Sequence, residues 1–420
     1  MSSLKLSKFA DSLVASEIVR LGASIKDKIS KGQSLYNYTI GDFDPSIFPI
    51  PQKLEELIIE AYKEHKTSYP SAEGEADLRK SVTGFIKDYL GLDYKPEEVL
   101  IAAGGRPLIY AVYKTIVDEG DKVIYPVPSW NNNHYTNFNK GNHVQIEATA
   151  ENNFMPTAEQ IKPHIKGAAL IALCSPLNPT GTTFSKDELE KICDLIIEEN
   201  RTRNDGQKKL YLMFDQIYWA LTYGSTKHYD PVSLRPEMKD FTIFVDGISK
   251  AFASTGVRVG WSLGPVHVLN KMRSLNSHIG SWAPMAEQKA VAKFLNDKES
   301  VKEFFAGFKS ELSTRLNKIH TGLQKLKSEG FPIDSIEPQA AIYLTIKIDL
   351  KGKSYNGTQL NSQEDVTEFL LSEAKLAVVP FIAFGADKNN PWYRLSVGVC
   401  KTEDIDTVLH NLKEAIKKLS

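Results

Sequence analysis

Cysteine is scarce: 420 residues hold only Cys174, Cys193 and Cys400, an odd number without close spacing. That excludes a disulfide framework and a cysteine-based metal site, and it fits free thiols in a reducing compartment. An excess of charge of one sign is also missing, with 51 Lys and Arg against 52 Asp and Glu and a formal net charge of −1. A chain so balanced carries no electrostatic footprint for a phosphate backbone or an anionic membrane, so neither nucleic acid nor membrane is expected as a partner. No apolar stretch is long enough to span a bilayer, and Met1 to Asp11 lacks the apolar run of a signal peptide, so the expected location is the cytoplasm. The nine histidines form no HxxxH or His/Cys cluster, and no metal is expected. Repeats and low-complexity tracts are absent, which argues against a solenoid.

What is present is an ordinary soluble composition, 42% hydrophobic and 25% charged, on a chain long enough for two or more domains. Short apolar runs alternate with amphipathic stretches. Val99 to Ala103, Lys122 to Tyr125, Ala168 to Leu173, Leu210 to Phe214 and Phe241 to Val245 read as buried strands. Gly104-Gly105 closes the first run, and Pro107 suits the first position of a helix through Leu108, Val112 and Ile116. Ser185 and Glu188 form a capping-box pattern before Leu189, Ile192, Cys193 and Ile196. This alternation predicts an α/β fold with a mostly parallel sheet and helices on both faces. Beyond about residue 300 the pattern changes to a long helix through Phe304, Phe308, Leu312 and Leu316, strands at Tyr343 to Ile348 and Arg394 to Val397, and a final helix through Ile405, Leu409, Leu412 and Ile416. That suggests a smaller α+β domain, with Lys351 to Glu364 as a surface loop.

The segment richest in chemistry is Ser249-Lys250-Ala-Phe-Ala-Ser-Thr-Gly256-Val-Arg258-Val-Gly260, which follows the run ending at Val245. Open α/β sheets place ligands beyond the carboxyl ends of their strands, where an amine can bond covalently and a guanidinium can hold an anion. Asp215 follows another apolar run, which favours a buried carboxylate; a turn or cap Asp is the plain alternative. Asn178-Pro179-Thr180-Gly181 reads alone as a turn, and Trp130 reads alone as a core aromatic.

Together with Tyr69, Gly74 and Leu78-Arg79, Gly104-Gly105, Pro128-Ser129-Trp130, Asp215-Gln216-Ile217-Tyr218 and Tyr393-Arg394-Leu395-Ser396, these motifs follow one order from about residue 41 to 397. In that order the chain resembles the class I aminotransferases, fold-type-I enzymes dependent on pyridoxal 5'-phosphate. The resemblance implies a mostly parallel seven-stranded sheet flanked by helices, with 1–48 as an N-terminal segment joining the small domain, 49–300 as the large cofactor-binding domain and 301–420 as the small α+β domain. It implies that Lys250 anchors the cofactor and moves protons, and that Asp215 faces its ring nitrogen. Tyr218 and Asn178 would face the phenolic oxygen and Trp130 the ring. Gly105 and Arg106 would offer N–H groups to the phosphate, with Ser249, Arg258 and Tyr69 adding donors, the tyrosine from the other subunit of a homodimer with shared active sites. Arg394 would clamp the substrate α-carboxylate, with Trp130 and Asn178 beside it and Gly41 on a segment that closes over the substrate.

Four departures stand out: Gly247 where many members have a phosphate-binding Ser, Gln216 for a Glu, Ala340-Ala341-Ile342-Tyr343 for Gly-Ala-Phe-Tyr, and Phe381 for a Gly. The expected reaction is amino transfer from an L-amino acid to a 2-oxo acid such as 2-oxoglutarate. Arg106 stands where some bacterial aspartate aminotransferases carry a lysine facing the substrate's distal carboxylate, which points to aspartate or glutamate. With Pro107 opening the helix, Arg106 is expected at the N-cap. The alternatives are an aromatic or other amino acid substrate, or a C–S lyase on the same fold. A regulatory module on this scaffold is disfavoured, because no N-terminal helix-turn-helix precedes it.

Overall fold

The computed structural model describes residues 6–11, 13 and 17–420, so the start of the Met1 to Asp11 stretch lies outside the described residues. A seven-stranded sheet is built from β1 (Val99–Ala102), β2 (Lys122–Val127), β3 (Asn142–Glu147), β4 (Ala168–Cys174), β5 (Tyr211–Asp215), β6 (Thr242–Gly247) and β7 (Gly260–Leu263). Its order is β1-β7-β6-β5-β4-β2-β3, parallel throughout except that β7 runs antiparallel to both neighbours. The central strands are apolar on both faces because helices cover both. On one side α2 (Gly105–Ile116) packs with Val266–Ile279 through Leu108, Val112, Leu269 and Met272. On the other, Ala76–Leu90, Lys186–Thr202 and Met285–Asn296 bury Val82, Phe85, Ile192, Ile196, Val291 and Phe294. The parallel strands therefore all end at one edge, where Val127, Cys174, Asp215 and Gly247 terminate.

A second, antiparallel sheet has the order β10-β11-β9-β8, from β8 (Ile333–Ser335), β9 (Tyr343–Ile348), β10 (Val379–Pro380) and β11 (Trp392–Ser396). Its core is separate, and α4 (Lys298–Ser328) joins the two, burying Phe305 in the first and Phe308, Leu312 and Leu316 in the second. At 31 residues α4 is about 46 Å long. The helix α1 (Glu17–Ser30) and the segment after it attach to the second body: Ile25 packs on Leu371 and Ala377, and Tyr36–Asn37 pairs in parallel with Leu376–Ala377.

Three local expectations are corrected. First, α2 begins at Gly105 with Gly104 as its N-cap, so Arg106 lies inside the first turn and Pro107 after it. Gly104 has φ 84°, a conformation suited to glycine, which moves the cap two residues upstream of the place Pro107 suggested. Second, Ser185 accepts a hydrogen bond from Glu188 N–H at 3.3 Å, but the Glu188 carboxylate does not close a box. It accepts from Ala158 N–H instead, at the start of another helix, 2.6 Å away. Third, the Lys351 to Glu364 stretch is not plain loop: it holds a small hairpin, Ser354–Tyr355 with Thr358–Gln359, and the Ser362-capped start of a helix at Gln363.

Candidate active site

A cavity of about 830 Å³ lies between the carboxyl edge of the first sheet and the second body. Every candidate residue named from the sequence lines it except Tyr69. Tyr69 is 85% exposed and packs edge-on against Trp282, in a separate surface hollow of about 530 Å³.

Lys250 sits in α3 (Ile248–Ala251), a single turn entered from β6. Its Nζ donates to the Gly41 carbonyl at 2.6 Å and lies 5.5 Å from the Phe43 ring centre. Burial holds the amine down at about 8; Asp42 opposes this, while Arg394, Arg106 and Arg258 add to it. The turn before it leaves no room for the serine expected by resemblance: a Cβ on Gly247 would stand 2.8 Å from both Gly260 Cα and Val259 O.

Asp215 closes β5, next to Val245 in β6. Its carboxyl accepts one hydrogen bond among the described residues, from Ile217 N–H at 3.1 Å, so the local turn and the cavity-facing carboxyl are one arrangement. Burial pushes it up to about 6. A second buried carboxyl, Asp246, lies behind the cavity wall, where it accepts from Trp219 Nε1–H at 2.9 Å and Gly247 N–H at 2.7 Å. Gln216, the departure in this motif, is fully buried beside His228 and does not line the cavity.

At one end of the cavity the start of α2 presents Gly105 and Arg106, with buried Ser249 alongside. Arg258, with φ 62°, donates to Thr255 O at 2.6 Å and Ala103 O at 2.7 Å, which lays its guanidinium across Gly104 where a Cβ would collide with it. Arg106 reaches the cavity from inside the first turn, its Cζ 5.5 Å from the Trp130 ring centre.

At the other end Arg394, in β11, is buried between aromatic faces, its Cζ 4.7 Å from the Tyr343 ring and 4.9 Å from Phe384. It donates to Asn178 Oδ1 at 3.0 Å and Thr39 O at 2.6 Å, and its buried Nε has no partner among the described residues. Gly41 is small by necessity, because a Cβ there would stand 2.8 Å from Tyr343 Oη. Phe381 packs behind this wall against Phe154 and Phe384 and does not face the cavity.

The sequence reading missed Asp42, whose carboxylate accepts from Thr255 Oγ1 at 2.7 Å and so ties the Gly41 segment to the Lys250–Arg258 loop. Its position beside Gly41 was the available signal. It also noted Tyr343 only as the end of an altered motif, although its phenol is in the cavity wall.

A sequence model of the family described as aminotransferase class I and II matches residues 39–412. The aspartate aminotransferase of Bacillus sp. (strain YM-2) is 31% identical over 403 residues, 95% of this chain and 94% of that relative. Among solved structures, the aspartate aminotransferase from Rhizobium meliloti superposes with a TM-score of 0.88 at 25% identity, covering 99% of this chain and 100% of its own. The Thermus thermophilus aspartate aminotransferase with maleate gives 0.86 at 26% identity, covering 98% of this chain and 100% of its own.

Proposed function

The chain belongs to the class I and II aminotransferases and is a transaminase dependent on pyridoxal 5'-phosphate, and from that premise we propose that its substrates are a dicarboxylic pair, aspartate or glutamate with 2-oxoglutarate. The observation that carries the proposal is Arg106, a second cation lining the cavity besides Arg394, with no carboxylate partner among the described residues. Two guanidiniums flanking one amine suit a substrate with two carboxylates. The names of the similar aspartate enzymes, one with maleate, support the same reading.

The donor set suits the cofactor. Asp215 is a half-buried carboxyl with no ion-pair partner among the described residues, and the N–H groups of Gly105 and Arg106, with Ser249 and Arg258, suit a phosphate at the start of α2. Bound there, pyridoxal 5'-phosphate supplies an aldehyde for the amino group and a ring that withdraws electrons from the substrate Cα. We assign Lys250 as the covalent anchor and the base that takes the Cα proton. A half-neutral amine near pH 8 is matched to that task, and Gly41 O holds it when it is free. Asp215 would keep the ring nitrogen protonated, Tyr218 and Asn178 would face the phenolic oxygen, and Trp130 would pack on the ring. Arg394, already fixed by Asn178 and Thr39, would orient the α-carboxylate, with Gly41 closing above it. Tyr69 would complete the phosphate site of a second copy in a homodimer. We read 1–48 and 301–420 as one unit that closes on 49–300, since Tyr36–Asn37 and Leu376–Ala377 pair. Three unpaired thiols suit a cytoplasmic location, and no helix among the described residues is long and apolar enough to cross a membrane.

Arg106→Leu tests the substrate assignment. A charged hydrogen bond to a carboxylate is worth about 1.5–3 kcal/mol, so kcat/KM for aspartate should fall about ten- to a hundred-fold while that for phenylalanine stays nearly unchanged. Equal falls for both donors would assign Arg106 to the cofactor. A neutral or aromatic substrate would then be favoured, a reading to which the Arg106–Trp130 stack lends support.

A further inference from the structure

One hydrogen bond in the cavity wall joins two phenols, Tyr218 Oη and Tyr343 Oη, 2.6 Å apart. Both are buried, with ring centres 5.5 Å apart at 67°. They come from different bodies: Tyr218 lies in the turn after β5, and Tyr343 is the first residue of β9 in the second sheet. Tyr343 also carries the Arg394 guanidinium on its ring face and blocks any side chain at Gly41. One residue thus touches the proposed carboxylate clamp, the closing segment and the phenol beside the proposed cofactor ring.

We propose that Tyr343 is a positioning residue that donates its hydroxyl proton to Tyr218, turning the Tyr218 O–H toward the phenolic oxygen of the cofactor. This rests on the reading of Tyr218 given above. A phenol has one proton, so a Tyr218 that donates into the cavity can only accept in its bond with Tyr343, which makes Tyr343 the donor of that bond. Among the described residues neither hydroxyl has another hydrogen-bond partner. Two hydroxyls in series polarise each other, so the second strengthens the donor formed by the first. Because the pair spans the two sheets, the strength of that donor depends on how β9 sits, and β9 pairs with β11, which carries the arginine that would hold the substrate. The charged and titratable groups facing the pair are Lys250, whose Nζ lies 5.9 Å from the Tyr218 ring, and Arg394, Cys174 and Asp42. Removing either hydroxyl keeps both aromatic rings, including the Tyr343 face on which Arg394 rests.

The test is a pH titration of the visible absorbance of the holoenzyme, for wild type, Tyr218→Phe, Tyr343→Phe and the double variant. Losing a proton leaves more negative charge on the phenolic oxygen of the bound chromophore, so a donor there lowers the midpoint and its loss raises it. Tyr218→Phe should raise the midpoint, and Tyr343→Phe should raise it by a smaller amount, roughly 0.2–0.6 pH unit. The double variant should match Tyr218→Phe alone, because Tyr343 acts only through Tyr218. Both substitutions keep the ring; full cofactor occupancy and an unchanged far-UV spectrum confirm that the fold is retained. A midpoint that moves in Tyr218→Phe but not in Tyr343→Phe overturns the proposal, as does a shift from Tyr343→Phe that persists without the Tyr218 hydroxyl. If Tyr218→Phe itself leaves the midpoint in place, the assignment of Tyr218 fails, and this proposal with it.

Discussion

Asp215 carries a charge question that the cofactor-free protein can answer. Burial raises its carboxyl from the usual range to about 6, so between about pH 4 and 6 the folded state binds a proton that the unfolded state releases. Its contribution to stability is therefore fully present below the unfolded value and is lost as pH rises through about 6. Cofactor-free Asp215→Asn lacks this dependence, so its thermal midpoint should climb relative to wild type from pH 4 to pH 6 and stay level above. A flat difference across that range would mean that the carboxyl is not held neutral by burial. In the holoenzyme the same substitution removes a charge from a dry site. Single-turnover proton abstraction should then slow by about a hundred- to a thousand-fold while cofactor remains bound. At this scale the sequence was most legible where a residue type is chemically irreplaceable, as with Lys250, Arg258 and Arg394. Asp42 escaped notice because a Gly-Asp pair is also what a turn requires, and its bond to Thr255 joins segments far apart in the chain.

The elements explain why the phosphate end of the cavity is built from glycine. A Cβ on Gly260, in β7, would stand 2.7 Å from the Gly104 carbonyl carbon, and one on Gly247, in β6, would stand 2.8 Å from Gly260 Cα. The backbones of β1, β7 and β6 thus close against one another beneath the start of α2 and bring Gly105, Ser249 and Arg258 to one place. Gly104→Ala adds a methyl group against the Arg258 guanidinium at a backbone angle that alanine avoids. Strain of that kind costs about 1–3 kcal/mol, so cofactor affinity should fall about five- to 150-fold, with helix content by circular dichroism unchanged. Affinity equal to wild type would show that the Arg258 position is not needed for the phosphate. These constraints also mark what sequence patterning reads poorly. The buried central strands announce themselves as apolar runs, whereas β3 is a polar, largely exposed edge and β7 is only four residues long and starts with glycine. The alternation in β3 rests on Val144 and Ile146 alone and β7 is too short to show a period, yet without β7 the glycine contacts beneath α2 would not exist.

At the scale of the whole molecule, one chain brings every proposed site residue to the cavity except Tyr69. Tyr69, whose motif matched in order with the rest, is exposed and shares a surface hollow with Tyr62, Trp282 and Met285. In a homodimer of the expected kind, a two-fold pair of these hollows would carry each Tyr69 to the neighbouring cavity. The expectation is tested by mixing Tyr69→Phe subunits with Lys250→Ala subunits under conditions that exchange them. If Tyr69 and Lys250 of one site come from different chains, each mixed dimer has one site with both residues intact and one with neither. Equal mixing makes half of the dimers mixed, so activity should recover to about a quarter of wild type, above both parents. If both residues of a site come from one chain, every site keeps one of the two substitutions, and activity stays at the average of the parents despite verified exchange. That outcome would leave Tyr69 to stabilise its own surface with Trp282, and the phosphate would rest on Ser249, Arg258 and the start of α2 alone.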